Sequence, residues 1–134
     1  MTRQNIQRFN KYKLNIISAV LIFIMFLALC IASTQAEDTK LRDMKKFFQN
    51  HCVKCHGPDG SAVSADGKKL KGQDFTDQKW RQDTRDEEMA KTIREGKFFG
   101  LAMPSFEDKL SPEDIQLIIT DIIRKAEKGK IIAP

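Results

Sequence analysis

Cys52-Val53-Lys54-Cys55-His56 is the stretch on which the reading of this chain turns. Two thiols stand three residues apart, and an imidazole follows the second directly. On a helical turn, positions i and i+3 share a face, so both sulfurs point to one side. Several chemistries use such a pair. A redox dithiol prefers a strand leading into a helix, and no strand is legible in this chain. A zinc ion takes four donors in a tetrahedron, and adjacent Cys55 and His56 suit one ion poorly. His51 is the only other histidine, and the remaining cysteine, Cys30, lies in an apolar N-terminal run.

The chemistry left is covalent haem attachment, which the pattern C-x-x-C-H encodes. Each thiol adds across one vinyl group of the porphyrin. His56 is then carried beneath the macrocycle with its ring toward the iron. A ligating imidazole donates its other N–H to an acceptor that fixes the ring, and a carbonyl in the 57–60 turn is a candidate.

A second iron ligand must come from the far side of the haem. His51 shares a turn with Cys52 and cannot reach that side, so it reads as an exposed helix residue. Met44 and Met89 fall at apolar helical spacing and read as core. Met103 lies in the loop Ala102-Met103-Pro104-Ser105-Phe106, where Pro104 stiffens the approach. Met103 is the expected ligand. The alternative is a loop methionine packed on the haem with the sixth position open.

Outward from the motif, the first 36 residues differ from the rest. Arg3, Arg8, Lys11 and Lys13 precede an apolar run over 14–31, and Thr34-Gln35-Ala36 supplies a small-residue exit. This describes a signal peptide over 1–36 cleaved after Ala36, with a retained membrane anchor as the alternative. Lipidation at Cys30 would want a small residue before it, and Leu29 stands there. The whole chain carries 23 basic and 18 acidic residues, a net of +5. Losing the four basic residues of the leader leaves 19 against 18, or +1, so the basic balance is no sign of nucleic-acid binding. The expected domain, 37–134, is small enough to gain from a cofactor core.

Within that domain the spacing predicts three or more helices. Thr39 is placed to cap a helix running to Asn50, with Leu41, Met44, Phe47 and Phe48 on one side. Gly57-Pro58-Asp59-Gly60 ends the motif helix. Residues 61–79 read as a long loop, which is uncommon unless it wraps something. Thr84 and Glu87 suggest a capping box for a helix over 85–95 that stops at Gly96. Ser111-Pro112-Glu113-Asp114 starts a last helix, with Ile115, Ile118, Ile119, Ile122, Ile123 and Ala126 at helical spacing and Gly129 as its stop. The spacing gives residues 130–134 no role.

In that order of parts the chain resembles the class I c-type cytochromes, specifically the small bacterial monohaem type. The resemblance rests on Cys52 to Gly60, on Leu70 to Trp80 with Asp74, Phe75, Thr76 and Asp77, on Glu87 to Gly96, and on Met103 to Ile123. It implies an all-α small cytochrome c fold, with three to five helices and long loops wrapped round one haem c. The first and last helices would cross, Leu41, Met44 and Phe48 meeting Ile118, Ile119 and Ile122. Leu70, Phe75, Trp80, Pro104 and Phe106 would join Cys52, Cys55, His56 and Met103 around the cofactor, with Trp80 near a haem propionate. The function implied is single-electron transfer in the periplasm, with redox proteins as donors and acceptors and no enzymatic turnover. Membrane contact would arise only through a retained leader. Lys68, Lys69, Lys71 and Lys79 could steer an acidic partner. Two alternatives stand beside the shuttle: a haem subunit of a larger oxidoreductase, and a five-coordinate haem that binds a gas or reduces peroxide.

Overall fold

The computed structural model describes residues 20–26 and 35–134. The chain divides into two compact units, Met1–Thr39 and Lys40–Pro134. In the first, residues 20–26 are helical and exposed, and so are 35–39. The rest of the expected leader, residues 1–19 and 27–34 with Cys30, lies outside the described residues. Among those described, no helix is long and apolar enough to cross a membrane. Thr39 does not cap a helix as expected. Residues on both sides of it are helical, and its hydroxyl donates to the Gln35 carbonyl one turn back at 2.9 Å.

The second unit is all-α, apart from isolated bridges at Val63↔Lys69 and Lys97↔Met103. Helix α1 covers 40–51 and α2 covers Val53–His56. Helix α3 spans Gln78–Asp83, α4 spans Asp86–Glu95 and α5 spans Pro112–Leu117. A π-helical segment, Ile118–Ile123, continues α5. The apolar faces of the first and last helices meet as the resemblance implies. Phe48, Ile115, Ile118, Ile119, Ile122 and Ile123 belong to one buried cluster, and Leu41, Met44 and Phe47 pack against it. Each such side chain, fully buried, contributes about 1.5–3 kcal/mol over its exposed state.

The start of α5 is written in its sequence. The Ser111 hydroxyl accepts from the Asp114 amide at 3.2 Å, and the Asp114 carboxylate accepts from the Ser111 amide at 3.0 Å. Pro112 sits at the first turn, where its missing N–H costs nothing. The far end departs from expectation. The Arg124 amide reaches the Ile119 carbonyl at 2.8 Å, five residues back, so the turn widens. The helix then stops short of Gly129. The Arg81 guanidinium takes the open carbonyls of Arg124 at 2.9 Å and Ala126 at 3.2 Å. In return Arg124 donates to Asp86 at 2.9 Å, to the Thr84 carbonyl at 2.7 Å, and to the Arg81 carbonyl.

The Thr84–Glu87 capping box does not form. The Thr84 amide is used to close α3, donating to the Trp80 carbonyl at 3.0 Å. Arg85 precedes α4 and its guanidinium holds Glu88 at 2.7 Å. Helix α3 itself falls partly inside the expected 61–79 loop. It is capped by Asp77, whose carboxylate accepts from the amides of Lys79 at 2.9 Å and Trp80 at 3.2 Å. Gly96, at φ 74°, ends α4 as expected.

The C-terminal segment acquires a role the spacing did not give it. Ile132 is buried, its amide donates to the Pro58 carbonyl at 2.9 Å, and its carbonyl accepts from Gln49 Nε2 at 3.2 Å. Nearby, the buried Asp59 carboxylate accepts from the Ser61 amide at 2.9 Å, the Ser61 hydroxyl at 2.6 Å and the Gly129 amide at 2.7 Å. The turn after the motif is thereby tied to the end of the domain.

Candidate haem site

The motif backbone is a continuous helical turn. The Cys52 amide donates to Phe48 at 2.8 Å, and the amides of Cys55 and His56 both donate to the Cys52 carbonyl, at 3.1 and 2.9 Å. Cys52, Cys55 and His56 therefore emerge together into a cavity of about 520 Å³. That lies within the roughly 300–1,000 Å³ typical of cofactor pockets. Both thiols are free and half-buried. Burial, and then the neighbouring Cys55, push the Cys52 thiol up to about 12 before it is joined to a haem.

His56 is held from behind. Its Nδ1 lies 2.9 Å from the Gln73 carbonyl oxygen. A carbonyl only accepts, so Nδ1 carries the proton and Nε2 keeps the lone pair that a metal needs. The acceptor is thus 17 residues away rather than in the 57–60 turn. There the Gly57 carbonyl is engaged by the Gly60 amide at 3.2 Å. Burial pulls the imidazole below its ordinary pKa; the Gln73 bond opposes this and the Lys97 charge adds to it. The ring remains neutral, the form that ligates.

Gly72 makes the Gln73 contact possible. A Cβ there would lie 2.3 Å from the Cys55 oxygen and 2.8 Å from His56 Nδ1, closer than atoms can approach. The Gly72 amide also donates to the Cys55 carbonyl at 2.9 Å, which pins the loop to the motif. On the same side the Phe75 ring stacks on His56, with centroids 4.3 Å apart and planes at 15°.

Opposite walls come from α4 and the 97–106 loop. Met103, Pro104 and Phe106 line the cavity, as do Phe75 and Trp80. The Phe75 and Trp80 rings lie 5.7 Å apart. Leu70 is not on the wall; its amide donates to the Ala62 carbonyl at 2.7 Å in the preceding loop. Met89 is buried in the core cluster, as its spacing implies, yet it also reaches the cavity. His51 is exposed at the end of α1 and stands at the cavity rim, its ring 4.3 Å from that of Phe47.

Two soft sulfurs that can be alkylated, a neutral imidazole with a free Nε2 and a thioether line one mostly apolar cavity. That set fits a haem c. Among the described residues no group of three or more histidine, cysteine or carboxylate side chains is arranged to hold a bare metal ion. Sequence reasoning missed Gln73, because a backbone acceptor leaves no side-chain signature. It also missed Thr84, Glu88 and Thr92, which line the cavity. Their i, i+4 spacing was the available signal. Of the four loop lysines, Lys68 pairs with Asp66 at 2.8 Å and Lys79 with Asp83 at 2.5 Å, and among the described residues no carboxylate pairs with Lys69 or Lys71.

The family model described as cytochrome c oxidase, cbb3-type, subunit III, matches residues 39–120. Among solved structures, the KustC0563 c-type cytochrome is 32% identical with a TM-score of 0.52, covering 63% of this chain and 96% of that one. A Tyr-to-Phe mutant of the same protein is also 32% identical, with a TM-score of 0.51, covering 63% and 99%. No curated protein matches the chain. With residues 39–120 inside the family model and its thiols and histidine walling one cavity, the chain belongs to this cytochrome c family and binds haem c covalently.

Proposed function

We propose that the chain is a periplasmic single-electron carrier whose haem is joined to Cys52 and Cys55 and ligated by His56 and Met103. The observation that carries this reading is the Gln73–His56 bond at 2.9 Å, which leaves Nε2 free in the cavity that Met103 also lines. The haem supplies an iron that changes charge by one electron. The chain supplies the rest. Gln73, Gly72 and Phe75 fix the imidazole plane, so ligand geometry is the same in both charge states. Pro104 stiffens the strand that presents Met103. Phe106, Ile93 and Ile123 keep water from the cavity wall, which disfavours extra charge and adjusts the potential. With protein donors on both sides, no position is left for a substrate.

Mixing the reduced protein with carbon monoxide tests this directly. The visible spectrum should not change. Rapid and complete binding would overturn Met103 ligation and favour the gas-binding or peroxidase alternative. Replacing Met103 by Ala should then admit carbon monoxide and lower the midpoint potential by on the order of 100 mV, within the range axial ligands command.

A second reading has its own support. The matching family is described as a subunit of an oxidase. On that reading the domain is a fixed haem subunit of a larger oxidoreductase. Purification under mild conditions separates the two: a monomer supports the shuttle, and an obligate partner supports the subunit.

A further inference from the structure

The loop between α4 and Met103 exposes more apolar surface than a solvated turn requires. Phe98, Phe99 and Leu101 are 76%, 106% and 91% exposed. Such a group of large apolar side chains on a small domain marks an interaction site. The loop is ordered by its own hydrogen bonds. The Gly100 amide donates to the Lys97 carbonyl at 3.2 Å, and the Leu101 amide donates to the Phe98 carbonyl at 3.1 Å. Phe98 and Phe99 have φ of 50° and 55°, a left-handed region that bulky residues disfavour. Two neighbouring phenylalanines thus hold the strained centre of the turn that Gly100 closes onto Lys97, and the turn presents both rings outward.

The loop is also joined to the haem site. The Lys97 amide donates to the Met103 carbonyl at 2.9 Å, closing the loop at its base. Gly96 is packed there so tightly that a Cβ would lie 2.5 Å from the Met103 oxygen. Lys97, Ala102 and Met103 all line the haem cavity. Around this rim the charge is positive. Among the described residues neither Lys97 nor Lys71 has a carboxylate within ion-pair distance, while the rim acid Glu88 is held by Arg85 at 2.7 Å.

We infer that Phe98, Phe99 and Leu101 form the docking anchor for a redox protein whose contact surface is apolar at its centre and bordered by carboxylates. This rests on the electron-carrier reading above. A protein seated on the three side chains lies beside Met103, and its carboxylates face Lys97 and Lys71. A lipid surface would also accept the aromatic pair, but it would not exchange electrons, and the anchor is built onto the segment carrying the proposed ligand. The contact is small, in keeping with redox encounters, which bury less than about 1,200 Å².

The test uses the haem-loaded full chain and a surface of known chemistry: gold carrying a mixed methyl- and carboxylate-terminated monolayer. The triple variant Phe98→Asn, Phe99→Asn, Leu101→Ser removes the apolar groups, and asparagine tolerates the left-handed backbone. We expect its electroactive coverage to fall about tenfold on the mixed monolayer, as for loss of an interface anchor. The midpoint potential and visible spectrum should match the wild type. Lys97→Gln should weaken coverage only where carboxylates are present. A wild-type wave with equal coverage for the triple variant overturns the docking site and leaves the carrier reading standing. A wild type with no wave on any surface overturns both. If phosphatidylcholine/phosphatidylglycerol vesicles retain the wild type better than the triple variant, and coverage is unchanged, the occupant is a membrane and the inference fails. It fails equally if the wild type forms a dimer that the variant does not.

Discussion

Replacing Gly72 by Ala would press a methyl group between the haem motif and the loop that steadies its histidine. The added Cβ starts 2.3 Å from the Cys55 oxygen and 2.7 Å from its carbon, and ordinary contact begins at 3.4 Å. The obstacle is backbone, so it cannot rotate away, and the two segments must part by about 1 Å. The Gln73 carbonyl moves with the loop. Its bond to His56 Nδ1 would stretch from 2.9 Å to about 4 Å, which is no longer a hydrogen bond. Overpacking and the lost bond together cost about 2 kcal/mol. For a domain of this size that lowers Tm by about 10 °C. The imidazole, with no acceptor for its N–H, becomes a weaker donor, so the midpoint potential should rise. Thermal melts followed at the haem absorption band and a redox titration read both effects. Gly67→Ala is the control. It has open space around it but a φ of +82°, so it should cost about 1 kcal/mol through backbone strain and leave the potential alone. A Gly72→Ala protein that melts within about 2 °C of wild type and keeps its potential would refute the argument.

Other expectations can be checked by the same melts. Arg124→Lys keeps the charge but loses the planar fork that reaches Asp86, Thr84 and Arg81 together, so it should destabilise the domain by about 2–3 kcal/mol with little change in potential. Asp59→Ala strands the Ser61 and Gly129 donors and should cost about 2 kcal/mol. Burial alone would raise the pKa of Asp59, but the donors from Ser61 and Gly129 outweigh it and hold the carboxyl below its ordinary value. Its stabilising contribution is therefore present above the unfolded carboxylate pKa of about 3.9 and is lost as pH falls through the lower folded one. Wild type should lose stability over that acid range, and Asp59→Asn should show a shallower loss in melts between about pH 2.5 and 6.

What the sequence disclosed were features whose chemistry is local. The C-x-x-C-H spacing, the Ser111–Asp114 box and the apolar stripes of the first and last helices each lie within a few residues, and each has the expected form. Features that depend on who reaches a backbone group first were not legible. Thr84 has the side chain for a cap, but its amide is spent on closing α3, and nothing in Thr-x-x-Glu says so. Thr39 has the side chain for a helix start, but its hydroxyl is spent on the Gln35 carbonyl one turn back. Gln73 serves His56 through its carbonyl, which every residue possesses, and Gly72 matters because of Cys55, 17 positions earlier. The resemblance alone carries Leu70 to the cofactor; its amide bonds to the Ala62 carbonyl, and it is not part of the cavity lining.

An ordinary α-helix that loses a residue swings everything after the gap by about 100°. Arg124 would then face away from Asp86, and Ala126 would leave the core. In Ile118–Ile123 the ladder already skips one carbonyl, because the Arg124 amide bonds to Ile119 rather than Thr120. Shortening the chain by one residue at this point returns the count to four per bond and leaves the downstream side chains on the faces they now occupy. The widened turn is thus an expansion joint, a place where the last helix can change length without unseating its arginine clamp.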